Sequence, residues 1–173
     1  MSYLGILFFF SISSFSFGSS NLIGTWSFCD QDHDGLHYEH VIDFGENGKE
    51  VELHIVRARS KIPCEGAFIT NISREWRYES KNGTFQSVLG HTDVIAYNEK
   101  VIKEFNRMNI CNSKKWKKGT WINCTLNLLT GFEERPGYKN SHSYTRHGDE
   151  LVIVDKDGDA TIYKKVSSPN SKR

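Results

Sequence analysis

The stretch HYEHVIDFGENGKEVELHIV, residues 37–56, decides the fold, because two runs of alternating side chains meet at one turn dipeptide. That dipeptide is Asn47-Gly48, a favoured pair for a two-residue hairpin turn in which both positions need positive φ. A turn centred on it brings the apolar side chains and His40 onto one face, in three pairs: Phe44 with Val51, Ile42 with Leu53, and His40 with Ile55. The opposite face then carries Val41, Asp43, Glu52 and His54. Since a slip of one residue exchanges the two faces, this agreement predicts an antiparallel hairpin in that register.

Three further turn dipeptides separate the other alternating runs: Asn82-Gly83, Gly148-Asp149 and Asp157-Gly158. The hairpin around the first of them is predicted to have large side chains on one face: Trp76 opposite Leu89, Tyr78 opposite Ser87, and Phe85 beside them. Residues 121–129 alternate as well. Strands at regular spacing joined by tight turns predict an all-β fold, either an antiparallel barrel or a sandwich.

One segment departs from strand alternation. Residues 98–108 place four apolar side chains at helical spacing: Val101, Ile102, Phe105 and Met108. Glu99 and Lys103 lie four residues apart, where an ion pair supports a helix. The segment predicts one short helix packed against the β-structure, with a further strand as the alternative.

The first 20 residues carry no charged side chain and hold an apolar run that ends in the small residues Gly18, Ser19 and Ser20. This is the pattern of a cleavable signal peptide, and the run is shorter than the roughly 20 apolar residues that span a bilayer. We therefore divide the chain into a signal peptide at 1–20, one domain at 21–166 and a polar tail at 167–173. The protein is expected to be exported, periplasmic or secreted, with no transmembrane segment in the mature chain.

The charged residues balance, with 22 Lys and Arg against 21 Asp and Glu and a net charge of +1. Nucleic-acid-binding domains are usually strongly basic, so this balance argues against a nucleic-acid partner. The chain contains no Gly-x-Ser-x-Gly, His-Glu-x-x-His or phosphate-loop motif. Asp43 and Glu52 form a carboxylate pair only as cross-strand neighbours on the exposed face of the hairpin. We therefore expect a protein that is not an enzyme and has no cofactor.

Four cysteines in an exported chain predict disulfides, and four cysteines allow three pairings. Cys111 and Cys124 bracket a segment that is expected to double back, which brings the two close enough for a bridge. Cys29 follows the first predicted strand, and Cys64 lies in the link between the first two hairpins. The expected pairs are Cys111–Cys124 and Cys29–Cys64.

The acidic stretch at 30–35 matches the opening of a calcium loop, in which alternate carboxylates converge on one cation. Its candidate ligands are Asp30, Asp32 and Asp34, with Val41 where such a loop needs a bidentate glutamate. A solvated acidic loop is the favoured interpretation and calcium the secondary one. Nearby imidazoles suit zinc or copper, but His37 and His40 differ in parity on a strand and are expected to face opposite sides.

Three segments match, in the same order along the chain, the motifs of a known protein family. Gly24-x-Trp26 heads the first predicted strand, residues 92–97 partly match the motif Thr-Asp-Tyr-x-x-Tyr, and the segment from Tyr144 to Tyr163 closes the domain. Together they resemble lipocalin-like members of the calycin superfamily. The resemblance implies an antiparallel up-and-down β-barrel around an apolar interior, with Trp26 as a structural plug near the closed end. It also implies an arginine packed over this tryptophan, and neither Arg107 nor Arg135 is positioned for that role.

A barrel of eight strands is just wide enough to be filled by side chains or to hold one small ligand. The resemblance therefore implies an exported barrel that binds a small apolar or amphipathic molecule. Its candidate contacts are the aromatic side chains predicted to face inward: Phe44, Trp76, Tyr78 and Phe85. The alternative is an interaction or inhibitor protein of the envelope or extracellular space, with a side-chain-filled barrel and another protein as its partner.

Overall fold

The structure is a computed structural model that describes residues 21–113, 115–125 and 135–166. The predicted signal peptide, the polar tail and residues 126–129 of the last alternating run lie outside the described residues. The described part contains nine strands and one α-helix: β1 Gly24–Gln31, β2 His37–Phe44, β3 Lys49–Arg57, β4 Phe68–Lys81, β5 Thr84–Ala96, α1 Glu99–Met108, β6 Trp121–Asn123, β7 Lys139–His147, β8 Glu150–Val154 and β9 Ala160–Val166. A 3₁₀ turn, Ile110–Asn112, follows the helix.

Eight of these strands close an antiparallel barrel. Strands β1 to β5 neighbour one another in chain order, β5 pairs next with β7, and β9 pairs with β1 to complete the circle. The ninth strand, β6, pairs with residues 93–95 near the far end of β5. The expected all-β fold, an up-and-down barrel with one short helix, is confirmed.

The predicted register of the first hairpin is wrong by one residue. The pairs across β2 and β3 are instead Phe44 with Glu50, Ile42 with Glu52, and His40 with His54. Because Ile42 and Phe44 pack in the barrel core, the β3 side chains opposite them also face the interior. The inner face of β3 is therefore polar, and its apolar residues lie on the outer face: Val51, Leu53 and Ile55. Asp43 is the neighbour of Val51 and not of Glu52.

The turn type explains the slip. Gly45 N donates to Lys49 O over 2.8 Å, so the loop holds three residues rather than two. Gly48 has φ +73° and Asn47 does not have positive φ, which is a type I turn closed by a left-handed glycine. At Asn82-Gly83, by contrast, both residues have positive φ, and the two-residue turn forms as predicted. The same dipeptide thus makes two different turns in this chain.

The remaining hairpins join the predicted strands, and the second also has the predicted register. Trp76 pairs with Leu89 and Tyr78 with Ser87, as predicted for the second hairpin. The turn at Gly148 joins β7 to β8, and the turn at Gly158 joins β8 to β9. The second of these is not centred on Asp157-Gly158 as predicted: Asp155 N donates to Asp159 O over 3.0 Å, so this loop also holds three residues, and Val154 pairs with Ala160. A register shift in β5 places Leu89 and His91 opposite the consecutive β4 residues Trp76 and Glu75, so Gly90 is an extra residue. This bulge bends β5 where its pairing changes from β7 to β6.

Trp26 closes one end of the barrel. Its side chain is fully buried and packs with Leu22, Ile42 and Phe44, and its Nε1 donates to Leu22 O over 2.7 Å. The guanidinium carbon of Arg146 lies 5.2 Å from the centre of a Trp26 ring. The structural role expected for Trp26 is therefore seen, with Arg146 of β7 as the arginine packed over it.

The helix α1 packs against the end of β5, away from Trp26. Asn98 caps it, with Oδ1 accepting from Lys100 N and Val101 N over 2.9 and 3.3 Å. A second core cluster forms between the helix, the end of β5 and the segment before β6; its buried members are Val94, Ala96, Ile102, Cys111, Trp116 and Cys124. The helix predicted for residues 98–108 is confirmed, although Met108 is exposed.

Both predicted disulfides are present. Cys29 and Cys64 join β1 to the link between β3 and β4, with Cα atoms 6.2 Å apart, and Cys111 and Cys124 join the second core cluster, with Cα atoms 4.8 Å apart. In the described part of the chain, no helix has both the length and the apolar composition needed to cross a membrane.

The Gly48 turn predicts a difference between two glycine substitutions. Gly48→Ala and Gly148→Ala both put a Cβ at positive φ, which costs about 1–2 kcal/mol. A Cβ at Gly48 also lies 3.1 Å from Tyr78 O, whereas at Gly148 nothing lies within 4 Å. We expect Gly48→Ala to lower the free energy of unfolding by about 1 kcal/mol more than Gly148→Ala, measured by urea denaturation. Equal losses in the two variants would contradict the close approach of this turn to β4.

The disulfides predict a graded loss of stability. In the chain-entropy model, the Cys111–Cys124 bridge, with a separation of 13 residues, stabilises the fold by about 3 kcal/mol, and the Cys29–Cys64 bridge, with a separation of 35, by about 4 kcal/mol. Alanine replacement of both cysteines of a pair should lower the free energy of unfolding, and the loss should be larger for Cys29–Cys64 than for Cys111–Cys124. Chemical denaturation of the two double variants measures it, and a larger loss for Cys111–Cys124 would show that packing of the second core outweighs loop closure.

Candidate functional site

A cluster of polar side chains lies inside the barrel, above the aromatic core of the closed end. Strand β3 supplies Glu50, Glu52 and His54, because the three-residue turn directs these alternate residues inward. Strand β2 supplies His40 opposite His54. A buried carboxylate is stable only when it is paired or protonated, so the neighbours of these residues determine their chemistry.

Glu52 is the centre of this cluster. His40 Nε2 lies 2.7 Å from Glu52 Oε1, and the Trp76 indole donates to Glu52 Oε2 over 3.0 Å. The guanidinium of Arg74 lies 3.8 Å from Oε2. His54 Nε2 lies 3.0 Å from Oε1, but it meets no acceptor in hydrogen-bond geometry among the described residues. Burial alone would raise the pKa of Glu52, yet the contacts of His40 and His54 hold this pKa well below its ordinary value.

The two imidazoles are held against each other and against Tyr163. Their rings stack with centroids 4.1 Å apart, and the Tyr163 hydroxyl lies 2.7 Å from His40 Nδ1. Burial lowers the pKa of His40, although its hydrogen bond to Glu52 opposes that shift. Burial, together with the charges of Glu52 and Glu50, raises the pKa of Tyr163. At neutral pH the cluster therefore holds an ionised Glu52 and a protonated tyrosine.

Glu50 behaves differently from Glu52, although the two share one face of β3. Its side chain is buried, and its Oε2 accepts a hydrogen bond from Ser87 Oγ. Burial, with a contribution from the charge of Glu52, raises the pKa of Glu50 to about 8. Adjacent inward carboxylates thus have opposite shifts, because Glu52 has cationic and donor neighbours and Glu50 has one hydroxyl.

Two cavities meet at this cluster. The inner cavity has a volume of about 80 Å³ and lies among polar and aromatic side chains that include His40, Glu52, Trp76, Phe85, Ser87 and Tyr163. The second, called here the mouth groove, has a volume of about 290 Å³ and lies at the barrel end opposite Trp26. Its walls include Phe28, Tyr38, Ile55 and Val56, and its acidic residues are Asp30, Asp32 and Glu39. His40 and Tyr163 line both cavities.

The four aromatic residues predicted as ligand contacts come together in the interior, at two levels. Phe44 packs edge to face on Tyr78 and Phe85, with ring centroids 5.1 and 5.4 Å apart, and all three belong to the closed-end core. Trp76 lies farther from the closed end than these three residues and lines the inner cavity, as does Phe85. Phe44 and Tyr78 line neither of the two cavities. Contact of these residues with a ligand stays a prediction.

The three candidate calcium ligands are divided between loop and groove. Asp32 shapes the β1–β2 loop, since its Oδ1 accepts from Leu36 N over 2.9 Å and its Oδ2 from the Tyr38 hydroxyl over 3.0 Å. Asp30 lines the mouth groove beside Asp32, and the exposed Asp34 lies with an oxygen 3.6 Å from His33 Nε2. Both oxygens of Asp32 thus serve the loop itself. Calcium binding here stays a prediction.

The residues at the centre of the site were missed by the sequence analysis. The predicted register puts His40 on the inner face of the hairpin but Glu52 and His54 on the outer face. In residues 50–55, the side chains on one face are all polar and those on the other are all apolar. A three-residue loop exchanges the two faces relative to a two-residue turn. The expected opposition of His37 and His40 is seen, because His37 lies with the Cys29–Cys64 bridge and His40 lines the interior.

Comparison with known proteins finds no family model that matches this chain and no matching curated protein. The features that bear on function are the closed eight-strand barrel and the geometry of its interior.

The raised pKa of Glu50 predicts a pH dependence of stability. Folded protein keeps the Glu50 proton up to a pKa of about 8, whereas the unfolded chain loses it near 4.5, so stability from this group is full below pH 4.5 and is lost as the pH rises toward 8. We expect the free energy of unfolding of Glu50→Gln, relative to that of wild type, to increase as the pH rises from 5 to 8. The increase over this range should be on the order of 3 kcal/mol.

Urea denaturation at several pH values measures this difference, and comparing variant with wild type cancels the histidine contributions. The control is Glu46→Gln in the exposed hairpin turn, which should leave the wild-type pH dependence in place. The same pH slope in Glu50→Gln and wild type would contradict a protonated Glu50.

Proposed function

We propose that this protein is an exported, lipocalin-like barrel that binds one small amphipathic molecule at its open end. The apolar part of the ligand lies in the mouth groove, and its polar end reaches His40, His54 and Tyr163. The function is binding, without catalysis of a reaction. The observation that carries the proposal is the mouth groove itself, an opening of about 290 Å³ that leads to a polar cluster.

The groove has the mixed character that an amphipathic ligand needs. Phe28 and Val56 offer apolar surface, while the imidazoles and the Tyr163 hydroxyl offer hydrogen bonds at its inner limit. Its volume lies at the lower limit of small-molecule sites, roughly 300–1,000 Å³. The inner cavity of about 80 Å³ adds room for two or three water molecules and not for a second ligand. These dimensions favour a ligand of modest size.

The lipocalin-like assignment is supported at the closed end. Trp26 of the Gly24-x-Trp26 motif is the plug of the barrel, and Arg146 packs over its ring. Export is supported by the two disulfides, which persist in oxidising compartments. Both assignments agree with the signal-like composition of residues 1–20.

One observation favours the alternative, an interaction or inhibitor protein with a filled barrel. Phe44, Tyr78, Phe85 and Leu151 fill the closed half of the interior with packed side chains. A ligand is therefore restricted to the mouth, and in the alternative the mouth holds only water. A binding experiment confined to the groove separates the two functions.

The test uses N-phenyl-1-naphthylamine, a neutral amphipathic fluorophore, together with native mass spectrometry of the purified protein. Val56→Trp fills the groove from β3, and Val51→Trp, the matched control, changes a valine on the outer face of the same strand. We expect saturable binding of one molecule, weakened about tenfold or more by Val56→Trp and changed little by Val51→Trp.

A co-purifying small molecule that Val56→Trp releases supports the same conclusion. Absence of both a retained molecule and fluorophore binding, or equal binding by the two variants, overturns the proposal and leaves the interaction protein as the better account.

A further inference from the structure

We propose that the interior cluster is also a binding site for a divalent cation of the imidazole-preferring kind, represented by Zn²⁺. Its ligand atoms are His40 Nε2, Glu52 Oε1 and His54 Nε2, which all lie within 4.8 Å of one another. The inference is independent of the organic ligand, because it needs only side chains of β2 and β3.

The geometry of the three donors carries the proposal. Both imidazole nitrogens approach the same carboxylate oxygen, at 2.7 and 3.0 Å. His54 Nε2 is shielded from solvent yet meets no acceptor in hydrogen-bond geometry within the described residues, so its bonding capacity is unused. A cation placed between the three atoms gives that nitrogen a partner. Small rotations of the side chains bring the donors to the roughly 2.0–2.2 Å that zinc ligands need.

The outer atoms of two ligands are already held, as in known metal centres. The Tyr163 hydroxyl lies 2.7 Å from His40 Nδ1, the nitrogen away from the proposed cation. The Trp76 indole donates to Glu52 Oε2, the oxygen that is not shared by the imidazoles. Such contacts orient ligating side chains and typically change metal affinity 10–100-fold.

The cation has a route to the site and room beside it. His40 and His54 line the mouth groove, and His40 and Glu52 line the inner cavity, which can hold water as a fourth ligand. Arg74 lies 3.8 Å from Glu52 Oε2 and opposes a second positive charge, so affinity rests mainly on the two imidazoles. Two imidazoles and one carboxylate suit zinc or copper better than calcium or magnesium, which prefer oxygen ligands.

The other set of close donors does not compete for the metal. His37 lies within the same distance of the sulfurs of Cys29 and Cys64, but those sulfurs are joined in a disulfide. Thiolates and not disulfide sulfurs are the usual zinc ligands, so the oxidised protein offers one candidate set in its described part.

The test is isothermal titration of ZnCl₂ into chelator-stripped protein without an affinity tag. We expect one Zn²⁺ per chain, with a dissociation constant in the micromolar range or tighter. His54→Ala removes one ligand, and we expect it to weaken binding by about 100-fold or more. The control is His91→Ala, whose side chain is 40% exposed, as is that of His54, and which likewise pairs with a carboxylate, Asp93.

Tyr163→Phe provides a second variant that keeps the ring and removes only the hydroxyl beside His40. It should bind Zn²⁺ about tenfold more weakly while retaining the wild-type circular dichroism spectrum. Visible absorption of the Co²⁺-substituted protein should show the intense bands of four-coordinate cobalt, and His54→Ala should lose them.

The proposal is overturned if wild type shows no saturable Zn²⁺ binding, or if His91→Ala weakens binding as much as His54→Ala. Equal affinity of Tyr163→Phe and wild type, with no change in His54→Ala, overturns it as well. Because the titration contains no organic molecule, these outcomes leave the test of the mouth groove unaffected.

Discussion

The interior of this protein depends on the turn between β2 and β3. Its three-residue loop ends at Gly48 in the left-handed region, and this sets which alternate residues of β3 face inward. Glu50, Glu52 and His54 enter the barrel as a consequence, opposite Phe44, Ile42 and His40. A two-residue turn would have placed Val51, Leu53 and Ile55 there and left the inner face of β3 without the carboxylates and His54. The polar site is therefore a product of backbone geometry at one glycine.

Placing carboxylates inside a barrel is costly unless each is compensated. The protein compensates them in two ways: Glu52 stays ionised among imidazoles, an indole and a guanidinium, whereas Glu50 becomes protonated beside Ser87. A well-partnered buried carboxylate positions its neighbours as firmly as they position it. His40, His54 and Trp76 therefore share one centre, the Glu52 carboxylate.

The barrel is divided into two functional halves. At the closed end, Trp26, Phe44 and Phe85 pack as a core, with Arg146 over the tryptophan, and this half supplies stability. At the open end, the strands carry polar side chains, and a groove leads inward past His40 and Tyr163. The Cys29–Cys64 disulfide holds the strands together at this end, since it joins β1 to the β3–β4 link. A packed base and a polar mouth allow binding without loss of the fold.

The sequence by itself determined the strand pattern, the helix and both disulfide pairs, because each depends on local spacing or on chain order. It also determined the turn of the second hairpin and its register as far as Trp76 and Leu89, since Asn82 and Gly83 both adopt the positive φ that the two-residue turn requires. Only the tertiary structure decided the register of the first hairpin. Asn47-Gly48 is compatible with both turn types, and contacts from β4 accompany the one that forms: Tyr78 N donates to Gly48 O over 2.8 Å, and the Tyr78 hydroxyl donates to Gly45 O over 2.9 Å.

The candidate site follows from that choice. Its members lie on β2, β3, β4 and β9, and the distance from His40 to Tyr163 along the chain is 123 residues. Local alternation shows that Glu52 and His54 share one face, but it does not show which face a closed barrel turns inward when both faces alternate regularly. That decision is made by hydrogen bonds between strands, which no local pattern contains.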